Sequence, residues 1–179
     1  MTQKEALLIM VAVAIVFIAL MAWGWRGRQK RSAAQVGALP TIPGSGLGEQ
    51  LHQTVGGVYV SSTTHGDWLD RIAVQDLGYR SNANVTVHSA GVVIERAGAT
   101  NIFIPSGNVI KATATNGIAG KFMGRNSLAL VEWRAQSPTG TDALIDSGFK
   151  PDHDNQLSGL IEAINSLVPT GHDPQKENQ

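Results

Sequence analysis

Asn84 to Pro105 reads NVTVHSAGVVIERAGATNIFIP, three short β-forming runs parted by turn residues. Asn84–His88, Gly91–Arg96 and Asn101–Pro105 are rich in β-branched and aromatic side chains, and Ser89-Ala90-Gly91 and Ala97-Gly98 interrupt them. Val92/Ile94 and Ile102/Ile104 are each separated by one residue, so each pair shares one face of its strand. Strands at this spacing point to a sandwich or barrel rather than to βαβ units.

The pattern continues in both directions. Upstream lie Gly57–Thr64 (GVYVSSTT), ended by His65-Gly66-Asp67, and a further expected strand, Trp68–Val74, closed off by Gly78. Downstream lie Val109–Thr115, Ser127–Ala135 and Thr141–Ser147, separated by Asn116-Gly117 and Pro138-Thr139-Gly140. Asn116-Gly117 is the best tight-turn dipeptide, because both residues tolerate positive φ. From Asn155 the period changes. Leu157, Leu160, Ile161, Ile164, Leu167 and Val168 recur at helical spacing, with Ser158, Glu162, Asn165 and Ser166 on the other face. Asp152 and Asp154 are candidate N-caps, and Pro169 and Gly171 stop the helix. Its apolar face is expected to be permanent core.

A different solvent governs the N-terminus. Ala6 to Trp25 (ALLIMVAVAIVFIALMAWGW) carries no charge and as a helix is about 30 Å long, the thickness of a bilayer's hydrocarbon core. A cleaved signal peptide has a shorter apolar stretch, preceded rather than followed by its cations. Here Arg26, Arg28, Lys30 and Arg31 come after the run, and Trp23 and Trp25 mark its interfacial end. The expectation is an uncleaved single-pass anchor in the cell (inner) membrane, embedded through residues 6–25. The positive-inside rule puts the N-terminus outside and the C-terminal domain in the cytoplasm.

Four parts result: the anchor with its basic flank (1–31), a Pro/Gly linker (32–48), a folded domain (49–168) and a polar tail expected to be disordered (169–179). Read as a flexible coil, the linker and basic flank span roughly 25–30 Å. The fold class is thus a transmembrane helix plus a mainly-β domain of seven to eight strands, as two packed antiparallel sheets or an open barrel, closed by one amphipathic helix.

From Glu49 onward there are nine basic against thirteen acidic residues. A nucleic-acid partner calls for a basic face, so none is expected. The absence of cysteine removes disulfides, thiolate metal sites and cysteine nucleophiles.

Gly57-Val58-Tyr59-Val60, Trp68-Leu69-Asp70-Arg71-Ile72, Gly91-Val92-Val93-Ile94-Glu95-Arg96, Ile104-Pro105, Leu130-Val131-Glu132-Trp133 and Gly148-Phe149-Lys150 resemble the membrane-anchored bacterial PH-like (pleckstrin-homology-like) proteins of actinobacteria. The resemblance covers the anchor and residues 49–168. It implies the fold and a membrane location, and it carries no ligand residues with it.

Chemistry-bearing clusters have plain explanations. His65-Gly66-Asp67 reads as a turn, and Asp152-His153-Asp154 as helix capping. Asp70 and Arg71 point to opposite faces of their expected strand, while Trp68 and Trp133 read as core aromatics. Ser61, Ser62, Thr63 and Thr64 have no base beside them in sequence, and Gly44-Ser45-Gly46-Leu47-Gly48 lacks the strand and helix of a phosphate loop. No catalytic residue, metal or cofactor is therefore expected. The best binding candidate is the loop Asn116–Arg125, in which Lys121 and Arg125 flank Phe122 and Met123, with Lys111 nearby in sequence. The function expected is a non-enzymatic interaction or scaffold module with a membrane or cytoplasmic protein partner. The alternatives are a lipid-headgroup-binding module and an accessory subunit of a membrane transport or export complex.

Overall fold

The computed structural model describes residues 3–137, 140 and 142–168. The elements in chain order are α1 (Gln3–Gln35), β1 (Gln50–Thr54), β2 (Gly57–Thr64), β3 (Ser81–His88), β4 (Gly91–Arg96), β5 (Ile102–Pro105), β6 (Val109–Thr115), β7 (Gly117–Ile118), β8 (Lys121–Phe122), β9 (Leu128–Ala135), β10 (Ala143–Pro151) and α2 (Leu157–Asn165). The tail 169–179 lies outside the described residues.

Eight antiparallel strands form one sheet in the order β5-β4-β3-β2-β10-β9-β6, with β1 also paired to β3; β7 and β8 form a separate hairpin. β2 meets β3 through only two register pairs, Val58↔Asn82 and Tyr59↔Ser81. The rest of that edge of β3 is taken by β1, from Thr54↔Val85 to Gln50↔His88. Around this short joint both halves of the sheet bury one side in a common core. Val85, Val87, Val92, Ile94, Ile102 and Ile104 come from one half, and Tyr59, Val131, Trp133, Ile145 and Phe149 from the other. Edge strands β5 and β6 do not pair among the described residues, so the barrel is not closed.

A hydrogen-bonded network joins four side chains inside the core. Trp133 Nε1 donates to Ser147 Oγ at 2.9 Å, Ser147 Oγ lies 2.6 Å from Ser62 Oγ, and the Tyr59 hydroxyl is 2.7 Å from Ser62 Oγ while donating to the Leu77 carbonyl at 2.9 Å. Burial pushes the Tyr59 phenol up to about 12. The buried Arg96 guanidinium stacks on the Tyr59 ring, 4.6 Å from its centroid. Ser62 is thus the centre of this buried network.

Helix α2 covers the open side. Leu157, Leu160 and Ile164 are buried, and Ile161 is half-buried against the same cluster. Its Asn165 side chain accepts from the Ala112 N–H at 2.7 Å and donates to the Ala112 carbonyl at 3.0 Å. This occupies backbone groups on edge strand β6 that would otherwise be open to pairing. The expected aspartate caps are not formed. The residue before α2 is Gln156, with no side-chain cap, and a 3₁₀ turn over Asp154–Gln156 leads into the helix instead.

Three further expectations are corrected. Trp68–Val74 is not a strand, because the Asp67 carboxylate accepts from the N–H groups of Leu69 and Asp70 at 3.0 and 3.2 Å and curls the chain into a turn. Its ladder pairing with β2 is a single isolated bridge, Thr63↔Arg71, supported by a hydrogen bond from the Thr64 hydroxyl to Asp70 at 2.8 Å. Trp68 is consequently 59% exposed rather than core, and Ile72 and Leu77 fill the interior in its place. The tight turn falls at Ala119-Gly120, both at positive φ (56° and 73°), and not at Asn116-Gly117. Gly117 is needed for space, since a Cβ there would lie 2.0 Å from the Lys121 carbonyl oxygen.

The third correction concerns the stretch after the basic flank. Helix α1 continues unbroken to Gln35, and Val36 is buried at once in the main core. The Gly37 N–H donates to the Gln136 carbonyl at 2.7 Å. Gln75 clamps the same stretch, its side-chain amide donating to the Gly37 carbonyl and its oxygen accepting from the Leu39 N–H. Further along, the Ala90 N–H donates to the Leu47 carbonyl at 3.1 Å. The segment is therefore partly helical and partly docked, rather than a free coil.

Candidate functional site

The half-sheet β2-β10-β9-β6 has a second face, turned away from α2. Val60, Leu128 and Ile118 form a small buried cluster on it, with Val58, Ala119, Met123 and Leu130 at the margin. Ile118 belongs to the β7–β8 hairpin, which lies over this face. Gly148 makes the approach possible, because a Cβ there would stand 2.8 Å from Ile118 Cγ2. The hairpin is held in place at its base. Lys150 Nζ and Ser127 Oγ both donate to the Met123 carbonyl, at 2.8 and 2.7 Å, and Asn116 Oδ1 accepts from the Asn126 N–H at 2.8 Å.

Strand β8 faces outward from this fixed base. Phe122 is 76% exposed, the most exposed large apolar side chain among the described residues, and Lys121 beside it is exposed too. Of the four candidate loop residues, Lys121 and Phe122 come together on strand β8 of the hairpin. Met123 turns partly into the small cluster, and Arg125 is exposed beyond it. Lys111 is not part of this group, since its ammonium is engaged by Glu132 at 3.1 Å.

Trp68 and Leu69, which the sequence reading assigned to a strand, stand beside the hairpin. A Cβ at Gly120 would meet Leu69 Cδ2 at 3.3 Å. A cleft of about 410 Å³ opens between Trp68, Lys121 and Phe122 on its rim and Leu130, Thr63 and Asp146 deeper in. Asp67 before the tryptophan was the available signal for this placement.

The hairpin side also adjoins α1. Trp25 lines a cleft of about 330 Å³ with Leu69, Arg71, Tyr79 and Ala119. Arg26 and Lys30 line another with Val74, Asp76 and Tyr79. Arg71 donates to the Ala119 carbonyl at 3.1 Å, linking the Trp68 turn to the hairpin. Trp23 is exposed; the side chains of Arg28 and Arg31 lie outside the described residues.

Along the same outer face runs a polar row, one residue from each strand: Thr63, Asp146, Glu132 and Lys111, directly opposite one another in register. His65 joins it from the turn, with Nδ1 3.0 Å from Asp146 Oδ1 and 3.8 Å from Glu132 Oε2. Burial holds the Asp146 carboxyl above its ordinary pKa, opposed by the hydrogen bond from His65. Strand alternation hints at this row, since Glu132 lies between inward Val131 and Trp133, and Asp146 beside inward Ile145. Its assembly from four strands is invisible in sequence.

A sheet bent around one core and closed by a C-terminal helix defines the pleckstrin-homology-like class. The family model described as bacterial PH domain-like matches residues 36–165, and the chain belongs to that family. No curated protein matches the chain. Domains of this class are generally non-catalytic interaction modules. The N-terminus adds one helical segment, Leu7–Gly27, that is long and apolar enough to cross a membrane and is not buried.

Proposed function

We propose that the chain is a single-pass membrane protein whose PH-like domain acts as a non-enzymatic interaction module held against the cytoplasmic surface of the membrane. The observation that carries this is the junction: α1 runs from the apolar segment to Gln35 without a break, and Val36 enters the core immediately. Eight residues separate Gly27 from Val36, a rise of about 13 Å along the helix, so the domain has little freedom to leave the surface.

The Trp68–Leu69 turn and the hairpin strand Lys121–Phe122 then lie on the side where α1 emerges, as Trp25 beside Leu69 and Ala119 indicates. An exposed tryptophan, leucine and phenylalanine with adjacent cations suit the headgroup layer, where apolar rings sink in and cations meet anionic lipid. This supports membrane contact by that face. The α2 side is left open to a protein partner, in keeping with a scaffold role.

Topology provides the test. A reporter that functions only in the cytoplasm, fused after Gln179, is expected to be active, and protease added to intact cells should spare the domain. Neutral residues in place of Arg26, Arg28, Lys30 and Arg31 are expected to mix the orientations. Activity of an exported-side reporter at the same fusion point would overturn the placement.

A further inference from the structure

We propose that His65, Glu132 and Asp146 form a binding site for a divalent transition metal of the zinc class. One atom from each, the His65 Nδ1 and a carboxylate oxygen from each acid, lies within 4.8 Å of the other two. Around a tetrahedral metal with ligand distances of about 2.0–2.2 Å, neighbouring ligand atoms are about 3.3–3.6 Å apart. The observed separations of 3.0 Å (His65 to Asp146) and 3.8 Å (His65 to Glu132) bracket that value. Small side-chain adjustments therefore suffice.

The two oxygens of Glu132 are already divided between tasks. Oε1 accepts from Lys111 at 3.1 Å, and Oε2 is the one turned toward His65. Lys111 thus stands as an outer partner that orients the carboxylate and leaves one oxygen for the ion. A second, independent observation points to a missing ligand. Thr63 is fully buried and its hydroxyl has no hydrogen-bond partner among the described residues. As the direct cross-strand neighbour of Asp146 it shares that residue's face, so its hydroxyl is directed to the same side of the sheet. A buried hydroxyl of this kind ordinarily finds a partner, and a metal or a metal-bound water would provide one.

The donor set selects the ion. One imidazole nitrogen with two carboxylates suits zinc, cobalt or nickel, whereas calcium and magnesium prefer all-oxygen shells. His65 is 40% exposed at its side chain, which gives the ion a route in from solvent. Occupancy would tie the turn His65–Asp67, and the Trp68 that follows it, to β9 and β10. The site does not depend on how the protein sits in the membrane.

The test uses the full chain without an affinity tag, purified in mild detergent and stripped of metal. Titration with Co²⁺ is expected to give one saturable equivalent with visible d–d absorption of low-symmetry nitrogen–oxygen coordination, and Zn²⁺ should displace it. Zn²⁺ should also raise the melting temperature of the wild-type chain, because the ion binds the folded state preferentially. His65→Ala and, separately, Glu132→Gln should each weaken Co²⁺ binding about tenfold or more and abolish the thermal shift. Thermal melts without metal report whether each variant folds, and either variant alone suffices for the comparison. Absence of saturable Co²⁺ binding by the wild-type chain would overturn the proposal. So would unchanged affinity in both variants, which would assign the ion to His52, His88, His153 or His172.

Discussion

The two faces of the half-sheet β2-β10-β9-β6 are built from alternate residues of the same strands, yet they are different kinds of surface. The inner face, with Tyr59, Trp133, Ile145 and Phe149, packs into a core shared with the other half-sheet and α2. The outer face has only a small buried apolar cluster, Val60, Leu128 and Ile118, and then gives way to a polar row and an exposed aromatic rim. Strand alternation lets one ladder hold the fold on one side and present chemistry on the other. Substitutions that disturb the fold should therefore separate from those that disturb contacts, according to which way the side chain points.

The largest effects belong inside. Trp133→Ala removes a fully buried indole and its bond to Ser147, and should cost about 3–5 kcal/mol in chemical denaturation. Ile164→Ala on α2 should cost about 2–5 kcal/mol, while Glu162→Ala, exposed on the same helix, should stay under about 0.5 kcal/mol. Equal losses at 162 and 164 would mean that the helix faces the core differently. Next comes the outer cluster. Gly148→Ala drives a methyl into Ile118 and should cost about 1–3 kcal/mol, with faster amide exchange over 116–127 than over β3 and β4. If exchange rises uniformly, the hairpin is not a separate unit and the contrast between faces fails.

Smaller still is Phe122→Ser. With the ring 76% exposed, the melting temperature should move by no more than about 2 °C, since surface changes are worth within about 0.5 kcal/mol. A fall of several degrees would place Phe122 in the core and remove the contact surface. The smallest effect is acid-dependent. Hydrogen bonds from the Thr100 hydroxyl and N–H hold the exposed Asp76 carboxyl below its ordinary pKa. Its contribution is complete above the unfolded carboxylate pKa and is lost as pH falls through the lower folded value. Thr100→Ala should flatten the stability–pH curve slightly in that acid window, leaving the variant marginally less stable than wild type near neutrality and converging with it in acid.

Legibility in the sequence follows the same division. Gly57–Thr64, Gly91–Arg96 and Val109–Thr115 have their strand limits written in period-two apolar patterning bounded by turn residues, and α2 in its helical period. β1 (QLHQT) carries almost no such pattern, because its pairing with β3 comes through backbone hydrogen bonds and not through an apolar face. Trp68 misleads because size and hydrophobicity argue for burial, while one Asp67 side chain redirects the backbone. Lys121 and Phe122 were legible as a candidate surface from composition alone. The neighbours Trp68 and Leu69, and the row Thr63–Asp146–Glu132–Lys111, depend on strand order and register, which no local stretch encodes. The junction after Arg31 was misleading for another reason: its prolines and glycines begin only at Gly37, so Ser32–Gln35 were free to prolong the helix.

The central claim is that the hairpin face rests on the bilayer and the α2 face does not. Because the chain has no cysteine, a single spin label can be placed at Phe122→Cys or at Glu162→Cys in the full-length protein in anionic bilayers. Power-saturation measurements should show the label at 122 accessible to oxygen and shielded from a water-soluble nickel complex, at headgroup depth, with the label at 162 fully aqueous. Equal, water-like accessibility at both positions would contradict the account.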